Sequence, residues 1–160
     1  MNKYCLDTNA FIESWNKYWS IELCPEYWEI IDDLAKKQVI FAPSEVKREI
    51  QKIDDGLNKW IDDKPYIFHE ITYDVQNHLR EILRKFPMLV DTIKDRSMAD
   101  PWVIAHALAM NATVVTKEES KAKQKRIKIP CVCQALNISC INDFSFAKEI
   151  GIRFTAKLIK

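Results

Sequence analysis

The sequence predicts a three-layer α/β/α domain around a mainly parallel sheet, and three observations carry that prediction. Short apolar runs of strand length alternate with segments whose apolar residues recur at helical spacing, the pattern of successive βαβ units. Four carboxylates, Asp7, Glu49, Asp100 and Glu118, stand beside those runs, where strands should end or helices begin. Only 2 Gly and 6 Pro punctuate 160 residues, and no repeat, low-complexity tract or linker interrupts them, so residues 1–160 are expected to form one domain.

The elements follow in order. Lys3 to Leu6 reads as a short buried strand closed by Asp7, and Thr8 to Ser14 opens a helix that Thr8 or Asn9 is suited to cap. An aromatic-rich stretch holds Trp15, Tyr18, Trp19, Tyr27 and Trp28. Its residues 15–37 are expected to be largely helical, because Pro25 suits a first helical turn and Trp28, Ile31, Leu34 and Ala35 share helical spacing. Gln38 to Ala42 is a second strand. A helix starting at Pro43 or Ser44 should carry Val46, Ile50 and Ile53 on one face, until Asp54-Asp55-Gly56 breaks it. Leu57 to Ile61 is a short helical piece, and Ile67 to Ile71 leans towards strand. Tyr73 to Phe86 is amphipathic through Val75, Leu79, Ile82, Leu83 and Phe86. Pro101 to Met110 is apolar on most sides and therefore a buried helix. A strand at Thr113 to Thr116, a lysine-rich segment and a last strand near Ile138 to Ile141 complete the chain.

Composition narrows the function. Hydrophobic residues at 48% and charged residues at 29% suit a packed core in a water-soluble chain. A formal net charge of +1 gives no global attraction to nucleic acid, so any such attraction must be local. No stretch approaches the ~20 apolar residues of a membrane helix, and the apolar run before Asp7 is too short for a signal peptide. The 5 cysteines are an odd number without paired two-residue spacing. Cys131, Cys133 and Cys140 are conceivable as three metal ligands, but free thiols of a reducing cytoplasm are the expectation.

The carboxylates are individually ordinary. Asp7 suits a turn or a helix cap, and Asp100 before Pro101 suits an N-cap, with Ser97 offering a capping box. Glu45 and Glu49 share a helix face, with Lys47 and Arg48 beside them, and Glu118 and Glu119 suit a helix start. Their joint placement is more informative. In open α/β sheets, ligand sites form at the carboxyl ends of the strands. Two carboxylates ~4 Å apart repel by about 4 kcal/mol at an effective dielectric near 20, so converging acids call for a cation. Asp7-Thr8-Asn9 supplies the oxygen donors that hard divalent ions prefer.

Read as motifs, these segments resemble the PIN domain, a family of metal-dependent nucleases, across most of the chain. The family's strand-end Asp corresponds to Leu6-Asp7-Thr8-Asn9, and its helical Glu to Val46-Lys47-Arg48-Glu49-Ile50. The Asp opening an alanine-rich helix corresponds to Ala99-Asp100-Pro101-Trp102-Val103-Ile104-Ala105, and the closing strand motif to Val114-Val115-Thr116-Lys117-Glu118. Glu118 departs from the Asp of most members and has a longer reach. Residues 15–28, 54–60 and 129–133 look like a subgroup of poorly defined function.

The resemblance implies a PIN-like fold, Asp7, Glu49, Asp100 and Glu118 as metal-binding catalytic acids, and Mg2+ or Mn2+ as cofactor. It implies hydrolysis of RNA phosphodiesters by an activated water, as in the VapC-type toxins of toxin–antitoxin pairs, with an antitoxin protein and a homodimer as expected partners. Asn9, Thr116, Lys117, Lys121, Lys125 and Arg126 are the expected substrate-binding residues, in a basic segment that also holds Lys123 and Lys128. The aromatics around Trp15 and Trp19 are expected mainly to pack the core, with stacking on bases or a groove for an antitoxin helix as the alternative. A phosphatase of the haloacid-dehalogenase type would need an acid where Asn9 stands, and a receiver domain would need an acidic pair before its phosphorylated Asp. A PIN-fold module that binds RNA or protein without cutting, and a nuclease of RNA processing, remain the alternatives.

Overall fold

The structure is a computed structural model that describes residues 2–53, 55–90, 98–119 and 127–158. Tyr4, Cys5 and Leu6 are all buried, as a strand covered on both faces must be, and they form β1 (Tyr4–Leu6) at the centre of the sheet. Asp7 then caps α1 (Thr8–Asn16), and α2 (Pro25–Lys36) begins at the expected proline. β2 (Ile40–Pro43), α3 (Ser44–Ile53), α4 (Asp55–Asp62) and β3 (Phe68–His69) follow. After α5 (Tyr73–Lys85), capped by the Thr72 hydroxyl accepting from the Val75 N–H, come α6 (Asp100–Met110) and β4 (Thr113–Val115). α7 (Ile129–Ala135), β5 (Cys140–Ile141) and α8 (Asp143–Ile150) complete the described chain.

The five strands run in the order β3-β2-β1-β4-β5 and every pairing is parallel. The chain thus steps outward from β1 in one direction, then returns to build β4 and β5 on the other side. Right-handed crossovers place α1 to α4 on one face of such a sheet and α5 to α7 on the other. The packing of α6 against β1, β2, β4 and α7 agrees with that arrangement. This is the expected three-layer α/β/α architecture, with a sheet that is parallel throughout. The strand order reverses between β1 and β4, which makes their carboxyl ends the natural crevice.

One continuous apolar cluster joins the layers, with Trp28, Phe11, Phe41 and Phe146 among its largest buried side chains. The aromatic stretch behaves mainly as packing. Trp28 is buried and meets Trp15 and Trp60 edge-on at 4.9 Å each. Its indole N–H donates to the Trp19 carbonyl at 2.6 Å, which fixes the turn between α1 and α2.

Several local expectations need correction. Ile53 does not share the buried face of Val46 and Ile50 but is 64% exposed at the end of α3. β3 keeps only two residues of the expected Ile67–Ile71 strand, because Pro65–Ile67 forms a 3-10 turn that uses up its start. Asp100 lies inside α6, whose N-cap is Ala99, so it does not act as the cap. Ser97 lies outside the described residues. The helices α7 and α8 were not anticipated, although Asn142 caps α8 by accepting from the Ser145 N–H and Gly151 ends it at φ 84°.

All five cysteines are free, with the Cys133 thiol, pushed up by its neighbour and by burial, hydrogen-bonded to Cys140. Among the described residues no helix is long and apolar enough to cross a membrane.

His106 is fully buried in α6, and its Nε2 has no hydrogen-bond partner among the described residues. Burial, and secondarily His69, lowers its pKa from 6.5 to about 4. A histidine depressed in the fold is neutral there and protonates first in the unfolded chain. It therefore contributes stability above pH ~6.5 that is lost as pH falls towards 4. The loss attributable to this group is on the order of 3 kcal/mol at its limit. Urea midpoints at pH 7.5 and pH 5 should therefore fall further for the wild type than for His106→Phe; equal shifts would refute the assignment.

Candidate active site

The carboxyl ends of β1 and β4 are tied together at the reversal of strand order. The Asp7 N–H donates to the Val115 carbonyl at 2.9 Å, and the Thr116 N–H to the Ile141 carbonyl at 3.0 Å. Asp7 is 1% exposed. Its Oδ1 accepts from the Thr8 N–H at 2.7 Å and its Oδ2 from the Thr116 hydroxyl at 2.9 Å. The same Thr116 oxygen accepts the Glu118 N–H at 3.1 Å, a local side-chain turn that bends Glu118 back towards Asp7. On the other flank, the Thr8 hydroxyl donates to Glu49 Oε2 at 2.6 Å, and Glu49 Oε1 accepts the Ala99 N–H at 3.0 Å. One network therefore runs from Glu49 through Thr8, Asp7 and Thr116 to Glu118.

Its electrostatics are unfavourable by design of position. The donors that orient Asp7 and Glu49 are backbone amides and hydroxyls, all neutral. Burial first, with Glu118 and Glu49 adding their negative charge, pushes the Asp7 carboxyl up to about 7, partly offset by its bonds from Thr116 and Thr8. Glu49, half-buried, is the member of its pair that faces Asp7. Glu45 is buried but compensated, with Arg48 at 3.2 Å and the Ser44 hydroxyl at 3.3 Å. Asp100 is buried and follows Ala99, whose amide holds Glu49. Glu118 is half-buried, its Oε2 accepting the Ile129 N–H of α7 at 3.0 Å, whereas Glu119 is exposed.

Asp7 and Glu49, linked through Thr8 and oriented by neutral donors, offer the hard oxygen ligands that suit a divalent ion such as Mg2+ or Mn2+. Among the described residues no three of the acids form a group that could hold a metal ion, so the expected four-acid set does not come together as one centre. That is compatible with Mg2+, which keeps several waters and takes one or two carboxylates. Asp7 and Glu49 are the side chains that could hold such an ion, and Glu118 lies near enough to raise the Asp7 carboxyl. Cys131, Cys133 and Cys140 do not form a metal cluster among the described residues either.

The expected substrate residues separate. Asn9 is exposed and lines a cleft of about 230 Å³ with Glu13, Lys117, Glu118, Glu119 and Lys128. Thr116 is buried and holds Asp7. Lys117 points instead at Asp143, its ammonium 2.7 Å from Oδ1. Lys121, Lys123, Lys125 and Arg126 lie outside the described residues. Thr8 and Asp143 were not anticipated in their roles. Asp143 carried a usable signal, since it follows the last strand as Asp7 follows the first. A neighbouring cleft of about 380 Å³ runs from Thr116, Lys117, Glu118 and Glu119 to Tyr18, Asn142 and Phe144.

The profile of a family described as a domain of unknown function, DUF4411, matches residues 4–154. The chain belongs to the DUF4411 family. In this DUF4411 protein the matched span runs from the first residue of β1 past the end of α8. No curated protein matches the chain. A solved structure does: a chain of the VapBC2 complex from Rickettsia felis, crystallised bound to a DNA fragment from its promoter, is 20% identical with a TM-score of 0.53. The match covers 87% of the DUF4411 chain and 97% of the other. At that identity it establishes a shared fold, a parallel sheet flanked by helices.

Proposed function

We propose that this DUF4411 protein is a metal-dependent endoribonuclease hydrolysing RNA phosphodiester bonds, and the toxin of a type II toxin–antitoxin pair. The carrying observation is Asp7, a buried carboxyl at the strand-order reversal, pushed up to about 7 by burial, Glu118 and Glu49. Such an arrangement is stabilised by bound cations and costly without them. The resemblance of four motifs to the PIN domain supports nuclease chemistry. The likeness of fold to a VapBC2 chain supports the toxin–antitoxin role.

When bound, Mg2+ or Mn2+ supplies charge compensation and lowers the pKa of a coordinated water. The chain's own part is positional. Thr8 and Thr116 hold the Glu49 and Asp7 carboxylates in fixed orientation, and Glu118 adds negative charge beside Asp7. Asn9 and Lys128 line the cleft beside Glu118 and are the neutral donor and the cation there that could meet a backbone phosphate.

The test is cleavage of a mixed RNA pool by purified protein with Mn2+, Mg2+ or EDTA, beside the Asp7→Asn, Asp100→Asn double variant. Metal-dependent cutting by the wild type alone is the expected result. The melting temperature should rise with the ion, since free ligand at 100 times its Kd adds about 2.7 kcal/mol of stability. The hydrogen bond from Ile129 to Glu118 favours a second reading, a PIN-like module that binds RNA or protein without cutting. Folded wild type that neither cuts RNA nor responds to Mn2+ would select that reading. A small antitoxin-like reading frame beside the gene would separate a toxin from an RNA-processing nuclease.

A further inference from the structure

The cleft beside Glu118 has an aromatic wall that hydrolysis does not require. Tyr18, in the turn after α1, and Phe144, on α8, meet there with ring centroids 5.3 Å apart and planes at 60°. Both stay exposed, at 53% and 41%. They are nevertheless firmly backed. Phe144 packs edge-on against Trp19 at 5.5 Å, and Trp19 stacks on Phe154 at 4.6 Å and on Tyr27 at 5.5 Å. The Lys117 ammonium sits 4.7 Å from the Tyr18 centroid and 4.8 Å from that of Phe144. Rings fixed in this way offer apolar faces at little further cost in conformational entropy.

The exposed ring faces select its occupant. The charges nearest them are already paired, Lys117 with Asp143 at 2.7 Å and Glu13 with Lys17 at 3.1 Å. What the wall offers is therefore a planar apolar face, which suits a planar ring. Exposed aromatic rings beside a nucleic-acid path stack on bases with little regard to sequence. Thr116 and Glu118 belong both to this cleft and to the Asp7 network, so an occupant here is continuous with the proposed cleavage point.

We infer that Tyr18 and Phe144, with Lys117 against both rings, form a stacking subsite for a nucleobase of single-stranded RNA adjoining the acid cluster. The inference rests on the ribonuclease reading and names where the substrate's base is held.

The test uses the full chain carrying Asp7→Asn, so that RNA is bound without being cut. Its probes are a fluorescently labelled ten-nucleotide single-stranded RNA of mixed sequence and an abasic ribose-phosphate chain of equal length, read by anisotropy. Adding Tyr18→Leu and Phe144→Leu should weaken RNA binding about 5- to 150-fold, the range for losing a base-stacking contact, and leave abasic binding unchanged. Tyr18→Trp, which keeps a stacking face, should retain affinity. Equal losses for both probes would overturn the subsite. Unchanged RNA affinity in the double leucine variant would overturn it too and leave the rings as a surface for a protein partner. If wild type cuts RNA while the leucine variants bind normally, the subsite alone fails. If wild type neither cuts nor binds RNA, the ribonuclease reading fails with it.

Discussion

Asp7→Asn should abolish cleavage and at the same time stabilise the metal-free protein. Activity is expected to fall on the order of 10²-fold or more, the scale of single preorganised electrostatic contributions. The stability gain follows from the raised carboxyl, at about 7 in the fold against roughly 3.9 in an unfolded chain. A carboxyl raised by folding is fully accommodated below its unfolded pKa. It then destabilises progressively as pH climbs through its folded value. At pH 8 in EDTA the ionised Asp7 therefore costs the fold on the order of 2–4 kcal/mol. Asparagine has nearly the same shape, still accepts the Thr8 N–H, and carries no charge. Its melting temperature in EDTA should exceed that of wild type by several degrees at pH 8, and the gap should close by pH 4.5. Mn2+ should raise the wild type and leave the variant nearly unmoved. An asparagine variant less stable than wild type at pH 8, or a gap indifferent to pH, would show that Asp7 is not strained by its neighbours.

That opposition between stability and activity was partly legible in the sequence, because it depends on where acids fall relative to strands. Asp7 after Tyr4-Cys5-Leu6 and Glu118 after Thr113-Val114-Val115 are positions that strand length and apolar runs expose directly. The choice of Glu49 over Glu45 was not legible. Both share a helix face, and only the tertiary neighbours, Arg48 beside one and Thr8 beside the other, separate them. Thr8 and Thr116 read as a helix start and a strand end, yet they orient the two carboxylates through pairings across 41 and 109 residues. The two-residue strands β3 and β5 are too short for any periodicity to fix their bounds. For α7, Cys131-Val132-Cys133 is a short apolar run that periodicity cannot assign to helix or strand. For α8 the sequence does carry both signals, Asn142 as the cap and Gly151 as the stop.

The pairing of Lys117 with Asp143 is the other place where a single change should be expensive. Asp143 is 1% exposed and the Lys117 side chain 11% exposed, and they meet at 2.7 Å. Breaking a buried pair from one side leaves an uncompensated charge, which typically costs about 3–5 kcal/mol. In Lys117→Met, Asp143 keeps the Trp19 indole N–H at 3.1 Å and its place in the first turn of α8, which soften the loss without removing it. In Asp143→Asn, the ammonium loses its counter-charge and keeps the faces of Tyr18 and Phe144 and, at most, a neutral amide oxygen. Each single variant should lower the melting temperature by about 10 °C. The double variant Lys117→Met, Asp143→Asn removes both charges together, and asparagine still accepts the Trp19 N–H. Its loss should be far smaller than the sum of the two, whereas additive losses would mean that the charges are not coupled. Lys117 lies between Thr116 and Glu118, so slackening the pair also releases the segment that aims both at Asp7. Cleavage should therefore fall with stability in the single variants and return with it in the double. Stability restored without cleavage would instead assign Lys117 a direct contact with the substrate.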